Sequence, residues 1–214
     1  RLATTPVACK TVGFMNYLRG RLTPLRPAMK RLLDLTLASL AALLFLLPAA
    51  LIALLIKLTS NGPVLYWSDR IGRDNRVFRM PKFRSMRLGT PAVATHLLAD
   101  PQAYLTPIGS FLRRSSLDEL PQLWSVLVGD MSLVGPRPAL YNQHDLIALR
   151  TQRGVHSLLP GLTGWAQVNG RDELPIPDKV EYDVAYLRNQ SAWLDLRILC
   201  LTVAKVLFRD GVSH

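Results

Sequence analysis

Six residues, Ser116-Leu117-Asp118-Glu119-Leu120-Pro121, hold the densest chemistry in this chain. Two adjacent carboxylates at the start of a helix lie where free backbone N–H groups and the helix dipole also attract phosphate. Carboxylates placed there are expected to stay ionised, and in that form they can act as nucleophile or metal ligand. The same letters have a plainer reading. Ser116 with Glu119 fits a capping box, and acidic residues are favoured in any first helical turn. Pro121 complicates that reading, because proline is comfortable only in the first turn; the helix start is therefore expected nearer Asp118 than Ser116.

Cations bracket the pair and point to phosphate as the partner. Arg113 and Arg114 lie just upstream. Downstream, Gly135-Pro136-Arg137-Pro138 sets one arginine between two prolines, which fix the backbone and present the guanidinium with little entropy left to lose. Lys82, in Pro81-Lys82-Phe83-Arg84-Ser85-Met86, is a further candidate. Each also has a bland alternative: a solvated arginine in a Pro-rich turn for Arg137, and a strand lysine facing water or lipid headgroups for Lys82. His96, His144, His156 and His214 are scattered and are read as surface residues. Cys9 and Cys200 stand far apart without metal-ligand spacing, which suggests a reducing compartment rather than a disulfide frame.

These motifs occur in order with others: Lys30-Arg31 with Asp34, an apolar run broken by proline, Gly129-Asp130-Met131-Ser132-Leu133-Val134 ahead of Gly135, and Pro160-Gly161-Leu162-Thr163-Gly164-Trp165-Ala166-Gln167-Val168-Asn169-Gly170-Arg171. As a set they resemble the bacterial sugar transferase family, the monotopic phosphoglycosyl transferases, over about residues 29–208. The resemblance implies transfer of a sugar-1-phosphate from a UDP-sugar to polyprenyl (undecaprenyl) phosphate. The products would be a polyprenyl-diphosphate-sugar and UMP, at the first membrane step of glycoconjugate assembly. It implies Asp118 as the nucleophile that becomes phosphosugar-bound, and Glu119 beside it helping to hold Mg²⁺ in the dyad. Lys82, Arg113 and Arg137 fall on positions used around the phosphates. The residue chemistry agrees, since a diphosphate leaving group needs charge neutralisation by metal and arginine more than it needs proton transfer. A covalent intermediate would let a water-soluble donor and a lipid acceptor use one site in turn. One departure is Leu47, where family members often carry serine before the hairpin proline. Two other functions fit the same letters: a non-catalytic basic membrane anchor that recruits a pathway enzyme, and a glycosyltransferase that transfers directly and releases UDP.

The elements that must position these groups begin with an uncharged run of about 22 residues, 35–56, long enough as a straight helix to cross a bilayer. Arg19, Arg21, Arg26, Lys30 and Arg31 precede it, and Lys57, Arg70, Arg73, Arg76, Arg79, Lys82, Arg84 and Arg87 follow. Basic flanks favour the cytoplasmic side, so a single span would have to export a strongly basic segment. Pro48 offers a bend, and the expected element is a re-entrant helix-break-helix membrane hairpin. A bitopic anchor and a buried core helix are the alternatives; a signal peptide is disfavoured by the depth of the run in the chain.

The expected organisation is a basic tail (1–27), the hairpin (28–59) and a cytosolic catalytic domain (60–214) with membrane-interface helices, on the cytoplasmic face of the bacterial inner membrane. A formal net charge of +11 demands an anionic partner. The charge crowds around the apolar hairpin and no nucleic-acid-binding pattern is present, which selects anionic lipid headgroups and phosphorylated substrates over nucleic acid. Ser60-Asn61-Gly62-Pro63 reads as a turn. Strands are expected at 64–67 and 77–86 and helices at 106–114, 118–128 and 140–152. A Gly-rich loop follows at 160–171, then an apolar helix at 192–208 that belongs in the core or in the membrane interface. The fold class is mostly α with a small β element (α+β).

Overall fold

Pro48 has no N–H to offer the carbonyl of Leu44, and its ring crowds that oxygen, so a helix running into it must break about one turn earlier. In the computed structural model, helix α1 (Pro27–Leu44) stops at that residue and α2 (Leu46–Thr59) resumes after Phe45. Phe45 has φ −92° and ψ 7°, and the two axes differ by 58°. The bend expected at Pro48 therefore falls at Phe45. The structure describes residues 27–90, 100, 102–170 and 174–208. Residues 1–26 of the basic tail, Cys9 among them, lie outside the described residues, as do His96, Arg171 and His214.

Among the described residues no single helix is long and apolar enough to cross a membrane; α1 and α2 pass that test only as a bent pair. Each buries a narrow stripe, Asp34 and Ala38 on α1 and Ile52 and Ile56 on α2. Leu32, Leu40, Leu43, Leu44, Leu46, Leu47, Leu54 and Leu58 stay exposed.

Strands β1 (Leu65–Ile71) and β2 (Val77–Phe83) pair antiparallel, with Tyr66 opposite Lys82 and Trp67 opposite Pro81. A two-stranded sheet leaves each strand one free edge, which is why Pro81 is tolerated inside β2. β1 continues past the expected 67, because its pairing with β2 runs on to Ile71 opposite Val77; Arg70 also bridges to Leu140. The helix expected from Thr106 starts later, as α3 (Gly109–Arg114); the Thr106 hydroxyl donates to the Ser85 carbonyl (3.3 Å) rather than capping. The helix expected at 118–128 divides into a 3₁₀ turn (Leu117–Glu119) and α4 (Gln122–Val128).

The Gly-rich stretch is not simply a loop. β3 (Ser132–Val134) pairs in parallel with β4 (Gly161–Thr163), and α6 (Trp165–Val168) follows at once. The glycines are there for close approach: a Cβ on Gly161 would stand 2.1 Å from the Gly135 nitrogen, which no side chain permits. α5 (His144–Gln152) begins later than expected, because Leu140 is held in an antiparallel bridge to Arg70. α7 (Ile176–Asn189) was not anticipated from the sequence. α8 (Ala192–Phe208) matches the expected span: Leu194 and Ile198 are fully buried in the core while Trp193, Leu196 and Val203 face outward. The main core joins Val126, Met131, Val134, Trp165, Tyr186, Leu194 and Ile198 with Ala38 of α1. The fold is mostly helical with small sheets, an α+β arrangement.

Polar contacts fasten α1 onto this body. The Arg31 guanidinium donates to the carbonyls of Val126 (2.6 Å) and Leu127 (2.8 Å), oxygens that the end of α4 leaves without a helical partner. Lys30 donates to Asp195 on α8 (2.8 Å), and Asp34 accepts from the Leu133 N–H (3.1 Å).

Candidate active site

Ser116 does not cap a helix. It sits at φ 56°, ψ 16° with no side-chain cap hydrogen bond, so the capping box suggested by the sequence is not formed. A non-glycine residue in this left-handed region costs about 1–2 kcal/mol. That conformation ends α3 and swings the chain into the 3₁₀ turn, bringing Asp118 and Glu119 against β2. Lys82 does not face water, since its ammonium lies 2.7 Å from Glu119 Oε1 and 4.0 Å from Asp118 Oδ2. Arg137 does more than solvate its turn: its Nη2 lies 3.0 Å from the same Glu119 oxygen. Arg113, from the last turn of α3, is near enough to favour the charged form of Asp118. All five residues picked out from the sequence thus converge on one place.

The two carboxylates are not equivalent. Burial pushes Asp118 above the usual carboxylate range, and the Glu119 charge adds to this; Lys82, Arg113 and Arg137 pull the other way without cancelling it. Burial acts on Glu119 as well, but Arg137 and Lys82 outweigh it and hold that carboxyl well below its ordinary value. The expectation that both simply remain ionised at a helix N-terminus is therefore corrected for Asp118, whose anion is the less stabilised of the two. Neighbouring groups pushed apart in this way commonly have different tasks.

In the sequence Arg84 belongs to the basic flank and to the motif around Lys82. It is 4 % exposed and donates to the Ser60 carbonyl (3.0 Å), the Ser60 hydroxyl (2.8 Å) and the Asn61 carbonyl. It thereby ties the exit of α2 to the end of β2, two residues from Lys82. His156 is also corrected. It is half-buried, and its Nδ1 is enclosed without a partner among the described residues.

Among the described residues no group of three or more His, Cys, Asp or Glu side chains is arranged to hold a metal ion. Two adjacent carboxylates alone fit Mg²⁺, which is typically bound by one or two carboxylates and completed by water and substrate phosphate oxygens. Glu119 Oε1 is already shared between Lys82 and Arg137, so Asp118 and the remaining oxygen of Glu119 are the available donors.

Residues 25–209 match the bacterial sugar transferase family. A UDP-glucose:undecaprenyl-phosphate glucose-1-phosphate transferase of Xanthomonas campestris pv. campestris is 48% identical over 187 residues, covering 83% of this chain and 38% of that protein. A protein of the same description from Escherichia coli (strain K12) is 42% identical over 186 residues, covering 83% of this chain and 40% of its own length. The uncharacterized sugar transferase EpsL of Bacillus subtilis (strain 168) is 42% identical over 193 residues, 87% of this chain and 91% of that protein. The chain thus spans about two-fifths of the first two relatives and nearly all of the third. With the match running from the bent helix pair through the last helix, and the five charged groups of its motifs gathered at one site, the chain belongs to the bacterial sugar transferase family.

Proposed function

We propose that this chain is a phosphoglycosyl transferase that moves a sugar-1-phosphate from a UDP-sugar to undecaprenyl phosphate, by way of a phosphosugar carried on Asp118. The observation that carries the proposal is the convergence of Asp118, Glu119, Lys82, Arg113 and Arg137, a carboxylate pair enclosed by cations. The family and the relatives named for glucose-1-phosphate transfer support the same reading.

In the proposed first step an Asp118 oxygen attacks the phosphorus bonded to the sugar, and the bond to the bridging oxygen breaks with its electron pair leaving on UMP. In the second, an oxygen of the lipid phosphate attacks the same phosphorus and expels the Asp118 carboxylate. Neither step needs a net proton transfer. A carboxylate whose conjugate acid is weaker than usual is the better nucleophile once ionised, and burial gives Asp118 that character. Glu119 holds Lys82 and Arg137 in place, so that their cations meet the diphosphate and offset the charge developing on UMP. Mg²⁺, held by Asp118 and Glu119, would supply further charge neutralisation on the diphosphate.

The bent pair α1–α2 is read as a re-entrant hairpin, entering and leaving on the cytoplasmic face. Basic flanks on both sides, the 58° bend and the exposed leucines support it. Phe111 on α3, Trp124 on α4 and Trp193 on α8 are exposed aromatics of the kind that settle at a bilayer interface. Placed there, the site lies at the depth where a lipid phosphate emerges.

The test is to incubate purified protein with undecaprenyl phosphate, Mg²⁺ and a panel of UDP-sugars, and to identify the nucleotide released. UMP with a lipid-linked diphosphate sugar is expected. UDP would mean direct glycosyl transfer, and no turnover with any donor would favour the anchor reading. With donor but without acceptor, rapid quenching and intact-mass measurement should find the mass of one sugar phosphate on Asp118; strict dependence of UMP release on the lipid would overturn the covalent route.

A further inference from the structure

The turn carrying Arg137 is poor in backbone donors, because two of its residues are prolines, and it is held by its acceptors instead. Four consecutive carbonyls are occupied. Pro136 accepts from the Gly161 N–H (2.9 Å) and Ala139 from the Ile71 N–H (2.9 Å). Between them, Arg137 accepts from Arg150 Nη1 (2.7 Å) and Pro138 from Arg70 Nη1 (3.3 Å). Arg150 is itself fixed from the far side, since its Nε (2.9 Å) and Nη2 (2.7 Å) both donate to Asp183 Oδ2. Arg150 is 8 % exposed and Asp183 1 % exposed, so this chain of bonds is shielded from water.

We infer that Arg150 and Asp183 are positioning residues for Arg137: a buried clamp, built from α5 and α7, that fixes the backbone from which the Arg137 side chain reaches the dyad. The proposal rests on the phosphoglycosyl transferase reading above. A buried ion pair is weak evidence for stability, because packed apolar residues of similar volume often serve as well. What apolar residues could not do is hold the Arg137 carbonyl. Arg150 uses three of its donors on two acceptors in different elements, a geometry an ammonium cannot reproduce. Behind the turn lies a cavity of about 30 Å³ lined by Arg137, Pro138, Arg150 and His156, among others. It has room for about one water molecule, and so gives the turn somewhere to relax if the clamp is lost.

The test uses Arg150→Lys and Asp183→Asn, each alone and combined with Arg137→Lys, assayed by UMP release at a temperature where every variant is folded. Each single clamp variant is expected to lose about tenfold in kcat/KM, the scale of one charge-assisted contact at Arg137. In the Arg137→Lys background the clamp changes should cost less than twofold more, because the group they position is already gone. Multiplying losses would mean that Arg150 and Asp183 act elsewhere, and would overturn the proposal. A readout independent of turnover accompanies it: hydrogen exchange at the Ile71 and Gly161 amides, which donate to the Ala139 and Pro136 carbonyls, should quicken in both clamp variants and not in an exposed control, Arg153→Lys. Unchanged exchange would overturn the clamp even with activity lost, whereas faster exchange in a protein that turns over no donor would overturn the functional reading and leave the clamp standing.

Discussion

Replacing Arg137 by lysine keeps the charge and discards the planar fork, which makes it the sharpest probe of the site. In the structure one nitrogen of that fork, Nη2, lies 3.0 Å from Glu119 Oε1, the same oxygen that Lys82 contacts at 2.7 Å. A guanidinium presents several donors in a fixed planar fork that can engage two anionic oxygens at once; a lysine ammonium on a flexible stem serves as a single point charge. A charge-assisted contact is worth about 1.5–3 kcal/mol. At about 1.4 kcal/mol per decade, losing one predicts a fall in kcat/KM of about 10- to 150-fold. The assay is the initial rate of UMP release across donor concentrations with lipid acceptor in excess. The matched control is Arg153→Lys, whose ion pair with Glu181 joins side chains 44% and 57% exposed, where such pairs contribute about 0–1 kcal/mol. That variant should stay within twofold of the parent. If Arg137→Lys also stays within twofold, the fork does not bind phosphate, and the substrate anion is held elsewhere on the basic face.

Asp118→Asn is expected to abolish UMP release without lowering Tm, because burial already disfavours the Asp118 anion in the folded state; near-parental activity would remove Asp118 as nucleophile. Glu119→Gln strips Lys82 and Arg137 of their shared partner, a loss of about 1.5–3 kcal/mol. At roughly 2–4 °C per kcal/mol for a domain of this size, thermal unfolding should show a fall of about 3–12 °C. Arg113 favours the ionised form of Asp118, so Arg113→Gln should raise that carboxyl's pKa and move the acid limb of the kcat/KM profile to higher pH; a shift to lower pH would contradict the geometry. Cysteines introduced at Met29 and Asn61, with Cys9 and Cys200 replaced by serine, should label from the same side of the membrane. Pro48→Ala restores a donor for the Leu44 carbonyl and should move part of the population toward opposite-side labelling; parental proteins already labelled on opposite sides would refute the hairpin.

The break in the apolar run was legible because its cause is local: a proline acts on a carbonyl four residues away, whatever the rest of the chain does. The extent of α8 could likewise be read from residue types and short spacings, as could the carboxylate pair Asp118 and Glu119 with Lys82 and Arg137 as candidate cations; the choice of Arg113 over Arg114 came from the family resemblance. Ser116 and the glycines could not. The letters of a capping box matched, yet packing of the 3₁₀ turn against β2 put Ser116 in a left-handed conformation. Gly161 looked like loop material until β4 lay down beside β3, a parallel pairing that no local pattern announces. α7 escaped notice because prolines at 175 and 177 resemble a loop, and its buried Asp183 breaks the apolar stripe that would have signalled a helix. The sequence by itself determined which charged groups the site contains. Tertiary structure decided that Asp118 is raised while Glu119 is lowered, and that the Arg137 turn hangs on side chains 13 and 68 residues away from the carbonyls they hold. The reason is physical: ionisation and backbone anchoring depend on burial and on which distant donors arrive, quantities that exist only once the chain has packed.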